Sequence, residues 1–337
     1  MSVWATLLET AIHSPSPHNV QPWRIRIKND READLLIDSA RTLPKEDPTG
    51  SFIILTMGMF IEALALLATE RQYRLDYELS HEPEWYADAI LQAPEQVFLP
   101  FARLRLTPDE ASTSLGFDPA TFLKRRTSRI SLTQQRVPDL AAKALQDLAA
   151  EWNQRYEQIT DAATIEWMLE QNTRALFHDL NSPDYHDEIT SWFRFTDRSS
   201  RKHRDGLDYR CMNTSRLTYW LTARFPKMML IPGLRPLLAR KYRTQTGAVP
   251  TIGMLAGDFW QPASAIKTGR FLMRFWLETA RQNLYIHPYG NLVTNNEAAE
   301  AMLAKTNIPD IWLVFKIGYS DEPPKSYRRS VQEILLD

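Results

Sequence analysis

One cysteine, Cys211, is all that 337 residues contain. A single thiol excludes an intrachain disulfide framework, a cysteine zinc site and a cysteine-held iron–sulfur cluster, and it agrees with a reducing compartment. The start of the chain, MSVWATLLETAIHSPSPHN, lacks a basic n-region, and Glu9 interrupts its one apolar stretch. A short amphipathic helix over 2–13 is expected there, not a secretion signal. No uninterrupted apolar run approaches the roughly 18 residues that a membrane span needs, so a cytoplasmic protein is expected. Neither G-x-G-x-x-G nor G-x-x-x-x-G-K-[ST] occurs, and any nucleotide-like cofactor must be held without those loops. The seven histidines form no H-E-x-x-H or other ligand spacing. His178 and His186, near Asp179, Asp184 and Asp187, stand eight residues apart on a proline-broken stretch, and no metal is expected. G-x-S-x-G is absent too, and Cys211 has no second cysteine or helix-start context that would activate its thiol.

What is present is an ordinary globular balance, 44% hydrophobic and 24% charged, in a chain long enough to bury a sizeable core. A formal net charge of −1 argues against a general nucleic-acid binder. The average hides an asymmetry. Between Trp192 and Arg243 there are thirteen Lys or Arg against three acids, Asp197, Asp205 and Asp208, so the remainder is acidic by about the same amount.

Alternation predicts a strand over Trp23–Ile27, and another is expected over Leu35–Asp38. The turn-rich RTLPKEDPTG follows, then a helix apolar on nearly every side from Ser51 to about Arg71. Val97–Leu106 and Asp310–Gly318 read as strands, and Trp260–Asn283 as a helix. Helices among strands of mixed pattern predict an α+β or α/β sandwich. Set without a gap, MGMFIEALALLATERQY (57–73) and TGRFLMRFWLETARQNL (268–284) bring Gly58 opposite Gly269, Phe60 opposite Phe271 and Leu66 opposite Leu277. Each follows a Pro/Gly loop and precedes a short apolar segment. Chance likeness of two buried helices is one explanation; an internal duplication is the other, and it predicts a pseudo-twofold core.

The most specific string is Pro15-Ser16-Pro17-His18-Asn19-Val20-Gln21-Pro22-Trp23. Its prolines fix φ, while Ser16, Asn19 and Gln21 put short polar groups on a stiff loop that can meet a ligand at little ordering cost. PSxxNxQPW resembles the signature loop of the FMN-dependent nitroreductase family, with Pro17 standing where many members carry a small or hydroxyl residue. The family's second motif, R-[RH]-S-x-[RK], is matched by Arg125-Arg126-Thr127-Ser128-Arg129, and guanidinium forks suit a phosphate monoester. The resemblance implies Pro15, Ser16, Asn19 and Gln21 on the flavin, with Arg125, Arg126 and Thr127 around its phosphate and ribityl chain. It places Arg129 by the N1–C2=O end of the ring, and Lys325, Arg328 and Arg329 completing the phosphate pocket. Pro288, Tyr289 and Gly290 lie where the family brings a backbone N–H to flavin N5.

The loop precedes the Arg motif here, the reverse of ordinary members. That order, with IDSARTLPKEDPTG, DEITSWFR (187–194) and DGL (205–207), resembles the Acg-like branch, in which one chain mimics the dimer and retains one of two flavin sites. The expected fold is therefore a nitroreductase-like α/β sandwich made of two homologous halves, 1–117 and 118–337, with a basic, aromatic insertion at about 185–250. The implied activity is hydride transfer from NAD(P)H through FMN to a small organic acceptor, nitroaromatic or quinone-like. An FMN-sequestering protein and a flavin-dependent dehydrogenase of a larger metabolite stay open. The insertion is a lid, a peripheral membrane or lipid contact through 219–243, or else a subunit interface or simple packing. The chain is expected to be a monomeric pseudo-dimer or a homodimer with a small-molecule substrate and no nucleic acid.

Overall fold

A computed structural model describes residues 2–93, 96–111, 114 and 116–337, with Met229 described by its backbone alone. In chain order the elements are α1 (Val3–Ala11), β1 (Trp23–Ile27), β2 (Glu32–Asp38), α2 (Ser51–Thr69), β3 (Tyr73–Leu79), α3 (Pro83–Gln92), β4 (Phe98–Pro108) and α4 (Pro119–Lys124). Then follow α5 (Asp139–Glu151), β5 (Gln154–Ile159), α6 (Ala162–Asn181), α7 (Pro183–Ser191), β6 (Phe193–Arg194), α8 (Asp197–His203), β7 (Leu207–Asp208), α9 (Arg216–Arg224) and α10 (Arg235–Thr246). The chain ends with β8 (Ile252–Gly257), α11 (Pro262–Arg281), β9 (Tyr285–Pro288), α12 (Asn291–Thr294), α13 (Asn296–Thr306), β10 (Ile311–Gly318) and α14 (Val331–Ile334). The class is α+β. Two compact units divide these elements. The first comprises 1–125, 259–278 and 327–337; the second comprises 126–258 and 279–326.

In the first unit an antiparallel sheet runs β1-β2-β4-β3. The alternation expected in β1 is seen at Trp23 and Ile25, which are fully buried, but not at Ile27, which is no more than half-buried; Trp23 stacks on Phe60 at 4.7 Å. Under the sheet lies α2, long and apolar enough to pass for a membrane span by length and composition, yet mostly buried. Its one charge, Glu62, interrupts the apolar run and is itself fully buried. Arg270 and Arg274 of α11 hold its two oxygens at 2.7 and 2.5 Å. Loss of either partner would leave a buried charge poorly compensated.

The pairing of α2 with α11 is reciprocal. A methyl on Gly58 would run into the Ile266 carbonyl, and a methyl on Gly269 would run into the Leu55 carbonyl. Glycine is needed here for close approach, not for an unusual φ. Under the 58↔269 register, 55 is the partner of 266, so each contact is the image of the other. Such a pattern is what a twofold axis through the crossing produces.

In the second unit an antiparallel sheet runs β5-β8-β10-β9. Its order repeats that of the first sheet when β5, β8, β10 and β9 are matched to β1, β2, β4 and β3. The polar-looking start of this half concealed β5 from the expectations above, and β9 follows α11 as β3 follows α2. The insertion is helical: α7 to α10, with a two-stranded parallel β6–β7 ribbon, pack around Phe177, Leu180, Ile189, Phe193, Tyr219 and Ala223.

Candidate functional site

In the first unit the proline-stiffened loop is also backbone-strained. His18, Asn19 and Gln21 have φ of 47°, 57° and 53°, a concentration of left-handed non-glycine residues that costs free energy and collects at functional sites. Hydrogen bonds hold it there. Ser16 Oγ accepts from the Gln21 amide at 3.0 Å, and Asn19 Nδ2 donates to the Tyr327 carbonyl at 3.1 Å. Gln21, fully buried, accepts on Oε1 from the Arg329 amide at 2.9 Å. The first motif is thus tied to the C-terminal basic segment, 308 residues away in sequence. Pro15 is buried beside it.

Arg125 sits just before this loop, where the chain leaves α1. The side chain is 5% exposed, donates through Nη2 to the His13 carbonyl at 3.1 Å, and lies 4.8 Å over the Trp276 ring. Its Nε is buried without a hydrogen-bond partner, and among the described residues no carboxylate pairs with it. Burial, then the neighbouring Arg328 guanidinium, press its pKa down to about 9. Arginine keeps its proton in proteins, so this position is a buried cation facing a second cation. An anion beside Arg125 is what the described residues do not supply.

Arg329 has a different neighbourhood. It is buried, donates to the Glu333 carbonyl that Arg24 also uses, and its pKa is pressed to about 10 by burial and then by Arg41 and Arg24. Asp38, 2.7 Å from Arg24 and 3.5 Å from Arg41, balances that group. Its bonds tie down the C-terminal tail, whose Leu336 amide reaches the Ile25 carbonyl at 2.8 Å. The Asp38–Arg24–Arg41 cluster and the Trp276 face beneath Arg125 escaped sequence reading; single arginines on a strand and in a turn carry no motif.

In the second unit the remaining motif residues gather around β9. Thr127 bridges to Ile286, and the Ser128 amide donates to the Ile286 carbonyl at 3.1 Å. The Arg motif therefore runs beside the segment expected near N5. Arg126 is held by the Pro323 carbonyl at 2.8 Å and Glu322 at 2.6 Å. Arg129, half-buried, donates to the Cys211 carbonyl at 3.3 Å, and burial presses its pKa down. The Tyr289 amide donates to the Val314 carbonyl at 2.7 Å and Pro288 has no N–H, so of these three only the Gly290 amide is left without a backbone acceptor among the described residues. Lys325 is exposed and makes no hydrogen bond or ion pair among the described residues.

Buried polar groups cluster here as well. Lys316, fully buried in the apolar run of β10, donates to the Ile130 carbonyl at 2.6 Å and the Thr246 carbonyl at 3.3 Å. Burial, then Arg129 and Arg243, press it to about 8. Burial, then Arg129 and Lys316, hold His287 well below the ordinary histidine range, so it is neutral. The hydroxyl of Tyr289 and Nδ1 of His287 are buried without partners. The lysine in IWLVFKIG was a visible signal; its neighbours were not. Among the described residues no group of three or more His, Cys, Asp or Glu could hold a metal ion.

No family model and no curated protein matches the chain. Among solved structures it is similar to the FMN-dependent nitroreductase NfnB from Mycobacterium smegmatis in complex with NADPH, at 15% identity over 63% of this chain and 94% of that one, with a TM-score of 0.40. It is similar to a nitroreductase with bound FMN from Bacteroides fragilis, at 13% identity over 62% and 91%, with a TM-score of 0.36. A BluB-like flavoprotein from Clostridium difficile follows at 10% identity over 65% and 97%, with a TM-score of 0.38. Likeness at this level leaves the functional reading to the residues.

Proposed function

We propose that the chain binds FMN and acts as an FMN-dependent oxidoreductase of the nitroreductase type, using NAD(P)H as electron donor and a small nitroaromatic or quinone-like acceptor. One observation carries the reading: Arg125, buried beside Arg328, has an unpartnered Nε and, among the described residues, no carboxylate, while Tyr327 and Arg329, on either side of Arg328, hold the strained loop at Asn19 and Gln21. A phosphate monoester fits that demand by charge and by hydrogen-bond acceptors. In this reading Arg125 and Arg328 bind the phosphate, and Ser16, Asn19 and Gln21 fix the loop in a form that presents its edge. The motif resemblance assigns Arg126, Thr127 and Arg129 to the same cofactor, together with the Gly290 amide. Lys325 enters only by resemblance, and Arg329 by holding Gln21 in place.

When bound, FMN would supply two-electron chemistry; the protein's part is binding, orientation and electrostatic tuning. A half-buried cation such as Arg129 favours negative charge on a reduced ring. His287, neutral by burial, adds no charge of its own. We further propose two homologous halves, about 1–117 and 118–337, in a single-chain arrangement of the Acg-like kind. The matching strand orders and the reciprocal Gly58/Gly269 crossing support it. The insertion at 185–250 shares a small core with Phe177 and Leu180 of α6, which supports a fixed appendage and not a loose flap.

Purified protein should be yellow or take up added FMN, and should oxidise NAD(P)H with a nitroaromatic or quinone as acceptor. Bound FMN without NAD(P)H oxidation would replace catalysis by sequestration. Colourless protein that refuses FMN would end the reading altogether.

A further inference from the structure

From Tyr209 to Gly257 the sequence has eight Lys or Arg and not one Asp or Glu. Two of the eight have partners brought from elsewhere: Arg210 pairs with Asp208 at 2.6 Å and Arg243 with Glu166 at 2.6 Å. The other six, Arg216, Arg224, Lys227, Arg235, Arg240 and Lys241, are exposed and make no ion pair among the described residues. All lie on the hairpin formed by α9, the one-turn 3-10 helix Pro226–Leu230 and α10.

The same hairpin exposes its large apolar side chains. Leu217 is 66%, Trp220 43%, Phe225 45%, Leu230 56%, Ile231 51% and Leu237 61% exposed. Packing explains the sidedness. Tyr219 and Ala223 turn inward on α9, and Tyr219 is pinned by its hydroxyl to the Leu207 carbonyl at 3.1 Å. Leu217, Trp220 and Arg224 (i, i+3, i+7) then share the outward side. Leu238 and Ala239 do for α10 what Tyr219 and Ala223 do for α9, and Lys241 Nζ ties the two helices by donating to Thr218 Oγ1 at 3.1 Å. Trp220 and Phe225 meet edge to face at 5.9 Å. At the tip, Gly233 has open space around it.

We propose that this hairpin is a docking surface for an anionic phospholipid bilayer. Charge complementarity selects the occupant. Exposed Leu, Ile, Trp and Phe interleaved with unpaired Lys and Arg match an interface that is apolar below and anionic at the headgroups, with the long cationic stems lying along the apolar side chains. A second copy would bring six cations against six in an isologous contact. Polynucleotide would satisfy the charges but leave Leu217, Leu230, Ile231 and Leu237 in water. The contact is peripheral, for no part of this hairpin is long enough to span.

The test is flotation of the full chain with vesicles of phosphatidylcholine, with and without phosphatidylserine. Binding is expected only with phosphatidylserine, weakening as salt screens the cations. Arg224→Glu with Lys227→Glu, and separately Trp220→Ser with Ile231→Asp, should each lower binding at least about tenfold with melting temperature and any bound flavin unchanged. Lys143→Glu, on the unrelated α5, should bind as the parent does. Absence of binding to the anionic vesicles, equal binding to neutral ones, or equal loss in the Lys143 control overturns the proposal. So does tighter, salt-sensitive binding to single-stranded polynucleotide, or a self-association that Trp220→Ser abolishes in protein that ignores vesicles. Because the readout is flotation and not turnover, failure here leaves the flavin reading untouched.

Discussion

Arg125 and Asp47 are charges that the fold buries, and each makes a prediction about its counter-charge. Arg125 has a backbone carbonyl and an aromatic face but, among the described residues, no anion, so on the reading above its cost is offset only when phosphate arrives. Arg125→Gln, or Arg328→Gln should the first variant fold poorly, is expected to weaken FMN binding by at least about tenfold, the scale of one lost charge-assisted bond. Removing a buried cation should leave the free protein no less stable. Flavin fluorescence titration and thermal melts read the two effects separately; unchanged affinity in both variants would move the phosphate elsewhere. Asp47, 3% exposed, caps α2 by accepting from the Ile53 amide at 2.9 Å, yet burial raises its pKa from 3.8 to about 6. The folded value lies above the unfolded one, so between about pH 4 and 6 the folded chain holds the extra proton. The ionised carboxylate therefore costs stability above that window, and the cost fades as the pH falls through it. Asp47→Asn keeps a capping oxygen without the charge. Urea unfolding should show the parent gaining on the variant by roughly 2 kcal/mol between neutral pH and pH 4; a difference independent of pH would refute the assignment.

The crossing of α2 and α11 is where an element-level prediction has a sign to decide. Helix propensity alone would make alanine better than glycine by about 1 kcal/mol. At Gly58 and Gly269 the added methyl meets a facing carbonyl, Ile266 or Leu55, and overpacking of this kind costs about 1–3 kcal/mol. Gly58→Ala and Gly269→Ala should each lower the melting temperature, by similar amounts because the contacts are images of one another. The double variant should depart from additivity, since both changes act on one crossing. Stabilisation by either would show that the helices can separate freely. These long helices were legible because their burial is written in residue type: 51–71 and 260–283 were expected, against Ser51–Thr69 and Pro262–Arg281 observed. β1 was legible from its alternation. β5, QRYEQI, and the helices of the insertion were not, for they expose one polar side and their register is decided by what packs on the other. The loop at 15–23 was legible as a motif, but not its strain at His18, Asn19 and Gln21, nor its tether to Tyr327 and Arg329, because φ values and bonds spanning 308 residues leave no trace in local pattern.

At the scale of the molecule, two sheets of one strand order share a chain, yet the chemistry-bearing strings are not duplicated. PSxxNxQPW occurs once, at 15–23, and the basic run ending at Arg129 occurs once. If duplication produced the fold, the second copy of the loop has been rewritten while the core helices kept their glycines; packing at a helix crossing tolerates no methyl, whereas a ligand loop can be replaced once one site suffices. The consequence is a stoichiometry. A symmetric pair of sites would take two FMN per chain; a site with one loop and one Arg125/Arg328 pair takes one. Flavin released by denaturation and measured by absorbance, against protein mass by amino-acid analysis, should saturate at one FMN per chain, and Arg125→Gln should bring it toward zero. Two FMN per chain, or one that survives loss of both Arg125 and Arg328, would mean that the second half keeps a site built from other residues, and the asymmetry argued from the sequence would be wrong.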